Sequence, residues 1–257
     1  MDSKTALAVI REFKPKRIQR ILGVIALLGL VVPGISSTYS AAEIFQPQID
    51  LGTSANYVLL AHTAITNGAT TIISGTGSKV VGISPGVSDV GTVSSIIASG
   101  ATEFQNGTGE PTRAQSDLQN AIASVSSLTP KVVSANLSLA DNATIYPGVY
   151  TTPGGAAMSI DQNLILDAKG DSRAIFVFVA PVAFNTTAGI TVFLQNGAQA
   201  SNIYWVVGAA LTLGASTHIS GNFLVTAGTT IGASSTVNGR ILSQDAVTLG
   251  ASVVLTS

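Results

Sequence analysis

The chain has 257 residues, 12 of them basic and 13 acidic, for a formal net charge of −1, and only 10% of its residues are charged. A near-neutral chain with no Lys/Arg stripe excludes a nucleic-acid binder built on phosphate neutralisation, and 46% apolar content excludes disorder. With no cysteine and two histidines, His62 and His218, disulfides, thiolate catalysis and Cys- or multi-His zinc sites are excluded together.

At the N-terminus, Lys4, Arg11, Lys14, Lys16, Arg17 and Arg20 precede a charge-free run from Ile21 to Ile35. Those 15 residues fall short of the roughly 20 that a spanning helix needs. Pro33-Gly34 close the run, and Ser40-Ala41-Ala42 before Glu43 have the small-residue pattern of a signal-peptidase site. Residues 1–42 are therefore expected to be a secretory signal peptide, or a signal anchor, that places the remainder outside the cytoplasm. Residues 43–257 carry 6 basic and 11 acidic side chains, net −5, and are expected to form a single domain with no membrane partner of its own.

From Leu51 to Gly109 the sequence reads as short strands and turns of irregular spacing. After Pro111, the stretch from Thr112 to Leu128 contains neither Gly nor Pro, and Leu118, Ala121, Ile122, Val125 and Leu128 make one apolar stripe at helical spacing. A helix over about 112–128 is expected, ended by Thr129-Pro130. Strand runs follow at Asn163–Leu166 and Ala174–Val179. Asp161, Asp167 and Asp171 are explained by turn chemistry rather than a calcium site. Glycosylation sequons begin at Asn106, Asn136, Asn142 and Asn185.

The C-terminal part repeats itself. Thr212-Leu213-Gly214-Ala215-Ser216 recurs as Thr230-Ile231-Gly232-Ala233-Ser234 and as Thr248-Leu249-Gly250-Ala251-Ser252, each step 18 residues long. Ile219-Ser220-Gly221-Asn222-Phe223-Leu224 matches Val237-Asn238-Gly239-Arg240-Ile241-Leu242 at the same period, and Trp205 precedes Phe223 by 18. Eighteen residues divide into three sides of about six, the signature of a stacked β-solenoid. Alternation within a side points Leu211 and Leu213 inward and Thr212 outward, Ile219 inward and His218 and Ser220 outward. Stacked coils then align Thr212, Thr230 and Thr248 in one ladder, His218, Thr236 and Val254 in a second, and Ser220, Asn238 and Thr256 in a third. Phe223-Leu224 and Ile241-Leu242 are apolar at consecutive positions, so that side must be covered, and the 112–128 helix is the element available to cover it. Trp205 is expected in the core, with its indole N–H needing a partner.

The sequence resembles the microbial ice-binding protein family, irregular right-handed β-solenoids with a helix packed alongside. The resemblance rests on segments in a shared order: Leu51 to Leu60 with Thr63 to Asn67, Val81 to Gly86, Tyr146 to Tyr150, Leu164 to Ala168 with Gly170-Asp171, Asn196 to Ala198 running into Ile203 to Gly208, Val237 to Leu242, and Val247 to Leu249. It covers nearly all of residues 43–257. It implies a mainly β fold, a right-handed, irregular, triangular solenoid with coils of about 18 residues and one long helix. It also implies a secreted monomer that adsorbs to ice and inhibits its growth and recrystallisation, with no enzymatic activity and no cofactor.

Threonine suits such a surface, because its methyl restrains water, its hydroxyl anchors it, and its β-branching leaves few rotamers to freeze. Two faces compete. The first candidate comprises Thr186, Ser216, His218, Ser220, Ser234, Thr236, Asn238, Ser252 and Thr256; the alternative is the ladder Thr212, Thr230 and Thr248. The family's Thr-Gly/Ala-x-Thr/Asn pattern is only partly met, since Ala215, Ala233 and Ala251 stand at its first position, and moderate thermal hysteresis is expected. A cell-surface adhesin or carbohydrate-binding solenoid is the alternative function and calls for exposed aromatics. A polysaccharide-cleaving enzyme needs a charged cluster on a groove, which 6 basic residues scattered over residues 43–257 do not supply.

Overall fold

The computed structural model describes residues 49–78, 80–86, 100–138 and 140–257. The expected signal segment, 1–42, lies outside the described residues, none of which forms a helix long and apolar enough to cross a membrane. The described chain is mainly β with one long helix. Twenty strands pair in parallel, each buried on at least one side by alternating or continuous apolar residues.

The strands lie on three faces. The first carries β1 (Tyr57–Ala61), β4 (Val80–Ile83), β5 (Glu103–Asn106), β6 (Lys131–Val132), β8 (Gly148–Thr151), β11 (Phe176–Ala180), β14 (Ile203–Val207) and the second halves of β16 (His218–Val225) and β18 (Thr236–Ser243). The second carries β2 (Ile65–Asn67), β9 (Met158–Ile160), β12 (Phe184–Thr186), β15 (Leu211–Leu213), β17 (Thr229–Ile231) and β19 (Val247–Leu249). The third carries β3 (Ile72–Ser74), β7 (Ala143–Ile145), β10 (Leu164–Asp167), β13 (Val192–Gln195), β20 (Val254–Thr256) and the first halves of β16 and β18, the bridge Thr191–His218 joining its two parts.

β16 and β18 turn from the third face to the first at Gly221 and Gly239, whose φ values are 129° and 143°. A Cβ on Gly239 would sit 2.0 Å from the Gly221 carbonyl oxygen, so only glycine permits this corner to stack.

The rungs do not stack in chain order. β1 pairs with β18, and β2 with β19 in the register Thr248–Thr66. β3 likewise pairs with β20, Val254 opposite Ile72. The N-terminal coil is therefore laid beyond the C-terminal one, which it covers. Helix α1 (Glu110–Val125) leaves the β5 end and the chain re-enters the stack at β6, at the opposite end of the first face.

α1 starts two residues before the expected boundary and ends three before it, with turns through Leu128. Pro111 in its first turn has no N–H to leave unpaired. Its buried Ala114, Leu118, Ala121 and Val125 pack with Leu60, Val177, Val206, Leu224 and Leu242. The helix thus covers the side on which consecutive apolar residues required a partner.

Inside the stack, Phe176, Phe184, Leu211, Ile219, Val237 and Leu255 belong to one contiguous core. Tyr150, Phe178, Trp205 and Phe223, on successive rungs, stack at centroid distances of 5.6, 4.2 and 5.9 Å. Trp205 Nε1 donates to the Ser220 carbonyl at 3.0 Å, which satisfies its one polar group.

Candidate functional site

The second face is built from six three-residue strands whose outer residues point inward and whose middle residue points out. The outward positions are Ser159, Asn185, Thr212, Thr230, Thr248 and Thr66, in register from rung to rung. Asn136 extends the column by one more bridge to Ser159. From Asn185 to Thr66 these side chains are exposed, while the flanking Phe184, Leu211, Leu213, Val247 and Ile65 are buried. Parallel pairing fixes their separation at about 4.8 Å.

Two columns of small residues border this ladder. On one side stand Ala157, Ala183, Ala210, Gly228, Ala246 and Ala64, tied together by backbone hydrogen bonds such as Phe184 N to Ala210 O (3.1 Å) and Val247 N to Ala64 O (2.9 Å). On the other stand Gly214, Gly232, Gly250 and Gly68. A Cβ on Gly232 would meet the Ala215 amide nitrogen at 2.5 Å, so the glycines let adjacent coils close up at this corner. No charged side chain occurs in the three columns from β12 to β2. The outcome is a flat, uncharged strip with one hydroxyl or amide per rung.

The third face differs. Its outward columns run Asn163, Thr191, His218, Thr236, Val254, Ile72 and Thr144, Ile165, Phe193, Ser220, Asn238, Thr256, Ser74, with Asp167 and Gln195 beside the latter. The pairings of His218 with Thr236 and Val254, and of Ser220 with Asn238 and Thr256, follow the expected ladders. The surface they make is mixed, however. Ile72 is 52% and Phe193 42% exposed, and Lys169 lies over the exposed ring of Tyr146 at 3.8 Å.

The first candidate set is divided by the structure. Thr186 is a correction: it is only 8% exposed, shares a 3.1 Å hydroxyl contact with Thr217 and accepts from Gly214 N at 2.9 Å. It lies one position past the outward Asn185 and faces inward. Ser216, Ser234 and Ser252 occupy neither strand but the corner between the second and third faces, in left-handed conformation with φ of 57°, 59° and 58°. His218, Ser220, Thr236, Asn238 and Thr256 remain on the third face. The alternative ladder Thr212, Thr230 and Thr248 is the one that the structure lengthens, by Thr66, Asn185 and Ser159.

Thr66 carried a readable signal. Ala64-Ile65-Thr66-Asn67-Gly68-Ala69-Thr70 has the same small–apolar–Thr–x–Gly–Ala–hydroxyl order as Ala246-Val247-Thr248-Leu249-Gly250-Ala251-Ser252. Asn185 had none, because its partner Thr212 is not one repeat away. The aspartates act as turn formers: Asp167 accepts from Lys169 N at 2.7 Å and Asp171 from Arg173 N at 2.9 Å. Hydrogen bonds from Lys169 N and Asn196 hold the Asp167 carboxyl below its ordinary pKa. No group of three or more acidic, His or Cys side chains able to hold a metal ion occurs among the described residues.

The family described as Ice-binding-like matches residues 59–255. An ice-binding protein of Nostoc sp. (strain HG1) is 31% identical over 68% of this chain and 61% of its own length. One from Flavobacterium frigoris (strain PS1) is 28% identical over 68% and 64%. The chain therefore spans under two thirds of these two relatives. Ice-binding protein K3-B1 of Typhula ishikariensis is 28% identical over 77% of this chain and 84% of its own. Among solved structures, an ice-binding protein from the Antarctic ascomycete Antarctomyces psychrotrophicus superposes with a TM-score of 0.71 at 28% identity, covering 82% of this chain and 98% of that one. One from an Antarctic Flavobacteriaceae bacterium does so with a TM-score of 0.68 at 26% identity, covering 82% and 47%.

Proposed function

The chain belongs to the ice-binding-like family, and from that premise we propose that it adsorbs to ice through the second face, along Asn185, Thr212, Thr230, Thr248 and Thr66. One observation carries the choice of face. These five exposed positions are in unbroken register, uncharged and bordered by Ala and Gly, whereas the third face mixes His218, Ile72, Phe193 and Asp167.

Adsorption needs a surface whose hydration matches a crystal. A β-branched threonine on a paired strand has little rotamer freedom to lose. Its methyl groups, repeated at the strand spacing, restrain neighbouring water while the hydroxyls anchor it. A charged group would hold a hydration shell of its own geometry, so an uncharged strip is what the mechanism requires. The protein winds as a right-handed triangular solenoid, works outside the cell as a monomer, and has ice as its partner. It slows growth and recrystallisation without catalysis or cofactor.

The test is nanolitre osmometry with inspection of crystal shape. The purified chain should give faceted crystals and a freezing gap. Thr230→Tyr should remove most of the gap, since a phenol standing off the strip holds its neighbours away from the crystal, and Thr236→Tyr on the third face should leave it intact. The reverse result would move the adsorbing surface to the third face. Round, freely growing crystals from folded wild-type protein would overturn ice adsorption itself.

A further inference from the structure

The strands of the helix-covered face all leave it at the same corner, and on four successive rungs the first residue past the strand is polar: Thr226, Gln244, His62 and Ser84. Their order follows from the pairing of β16, β18, β1 and β4, and Gln244 N to Val225 O and Ser84 N to Ala61 O continue the ladder to these positions. Facing them, α1 presents Thr112, Gln115, Ser116 and Gln119. That spacing of i, i+3, i+4 and i+7 makes a polar stripe beside its apolar one. The two rows enclose a cavity of about 450 Å³, within the size range of small-molecule sites. No carboxylate, lysine or arginine lines it.

The hydrogen bonds inside are unbalanced. Gln115 is 8% exposed; its Nε2 donates to the Ser243 carbonyl at 3.0 Å, which fixes the amide, while its Oε1 has no partner among the described residues. His62 Nδ1 is likewise buried without one. Ser84 and Thr112 spend their hydroxyls on each other at 2.6 Å. A buried acceptor left unpaired costs about 1–3 kcal/mol, so an occupant that donates hydrogen bonds is favoured. Gln119 and Gln244 add amides that both donate and accept. The lining excludes an ion by having no opposite charge, and lacks an aromatic platform for a stacked sugar ring.

We propose that this cavity binds a small, neutral, acyclic polyol. Its hydroxyls donate to Gln115 Oε1 and His62 Nδ1 and exchange hydrogen bonds with the Gln119 and Gln244 amides. The site lies away from the Thr ladder, so it stands or falls independently of ice adsorption.

Polyols stabilise proteins in general by exclusion from their surfaces, so a rise in melting temperature is not diagnostic. The test is titration of the isotope-labelled full chain with sorbitol and with glycerol, following the side-chain amide signals of Gln119 and Gln244 by NMR. Glycine betaine, which lacks a hydroxyl donor, is the control. The expected result is saturable shifts with Kd on the order of 1–10 mM, no saturation with betaine, and affinity at least about tenfold weaker in Gln115→Leu. Gln244→Leu, at the cavity rim and without a printed structural bond to lose, should show the same weakening in the Gln119 signal should Gln115→Leu fail to fold. Linear, non-saturating shifts, equal responses to betaine, or unchanged isotherms in the folded variants would overturn the proposal and leave the cavity to water.

Discussion

Arg240 donates from Nη1 to Oδ1 of Asn222, 3.0 Å away and directly opposite on the neighbouring strand. Its Nε donates to the carbonyl of Ala55 at the same distance, and Asn222 Nδ2 donates to the carbonyls of Ser201 and Ile203 at 3.0 and 3.1 Å. One guanidinium thus joins two C-terminal coils to the N-terminal segment laid beyond them. Burial pushes its pKa below the ordinary value, opposed by Tyr204.

Replacing Arg240 by Ala should therefore cost about 2–4 kcal/mol, since two charge-assisted bonds go and the nearly buried Asn222 amide loses its donor. Urea denaturation measures it. The variant's freezing gap per folded molecule should match wild type, because Arg240 stands off the Thr ladder.

Thr229 gives a prediction of opposite sign. It sits inward between Leu211 and Val247, is 2% exposed, and its hydroxyl has no partner among the described residues. Thr229→Val keeps the shape and removes the unpaired oxygen. It should raise stability by about 1–2 kcal/mol, seen as a higher denaturation midpoint with ice shaping unchanged. A lower midpoint would show that the hydroxyl is satisfied in solution.

Gly232 sits where adjacent coils touch, and a Cβ there would lie 2.5 Å from a backbone nitrogen. Gly232→Ala should destabilise by about 1–3 kcal/mol and also lower the freezing gap, because pushing the coils apart disturbs the spacing of Thr212, Thr230 and Thr248. Loss of stability with full hysteresis would mean that this spacing does not matter to adsorption.

Asn185 heads a sequon and is exposed on the Thr ladder. A glycan there would stand off the strip and block it. Protein carrying an occupied Asn185, identified by mass spectrometry, should show little hysteresis, and Thr187→Val, which removes the sequon without touching the ladder, should restore it.

Tyr57 donates its hydroxyl to Gln105 Oε1. Burial, with the nearby Glu110 and Glu103 charges, pushes its pKa up from 10.0 to about 12. The folded state therefore favours the protonated phenol. This contribution, on the order of 2 kcal/mol, is complete below pH 10 and is lost as pH rises from about 10 through 12. Denaturation midpoints across that window should fall in wild type and fall less in Tyr57→Phe.

The sequence by itself determined the local half of this structure. Alternation told Leu211 and Leu213 from Thr212, a repeat of 18 aligned Thr212, Thr230 and Thr248, and the apolar stripe through Leu118 named both the helix and the face it covers. These are short-range consequences of backbone geometry, with side chains alternating on a strand and recurring every 3.6 residues on a helix, so any window of a dozen residues contains them. Tertiary structure decided which rungs meet. Thr66 joins the ladder because the N-terminal coil stacks on β19, a pairing across 182 residues that no local pattern records. Thr186 turns inward because coils of unequal length put Asn185, not its neighbour, opposite Thr212. In a strand one step of register exchanges inside for outside, so only the assembled stack could say which hydroxyls reach the surface.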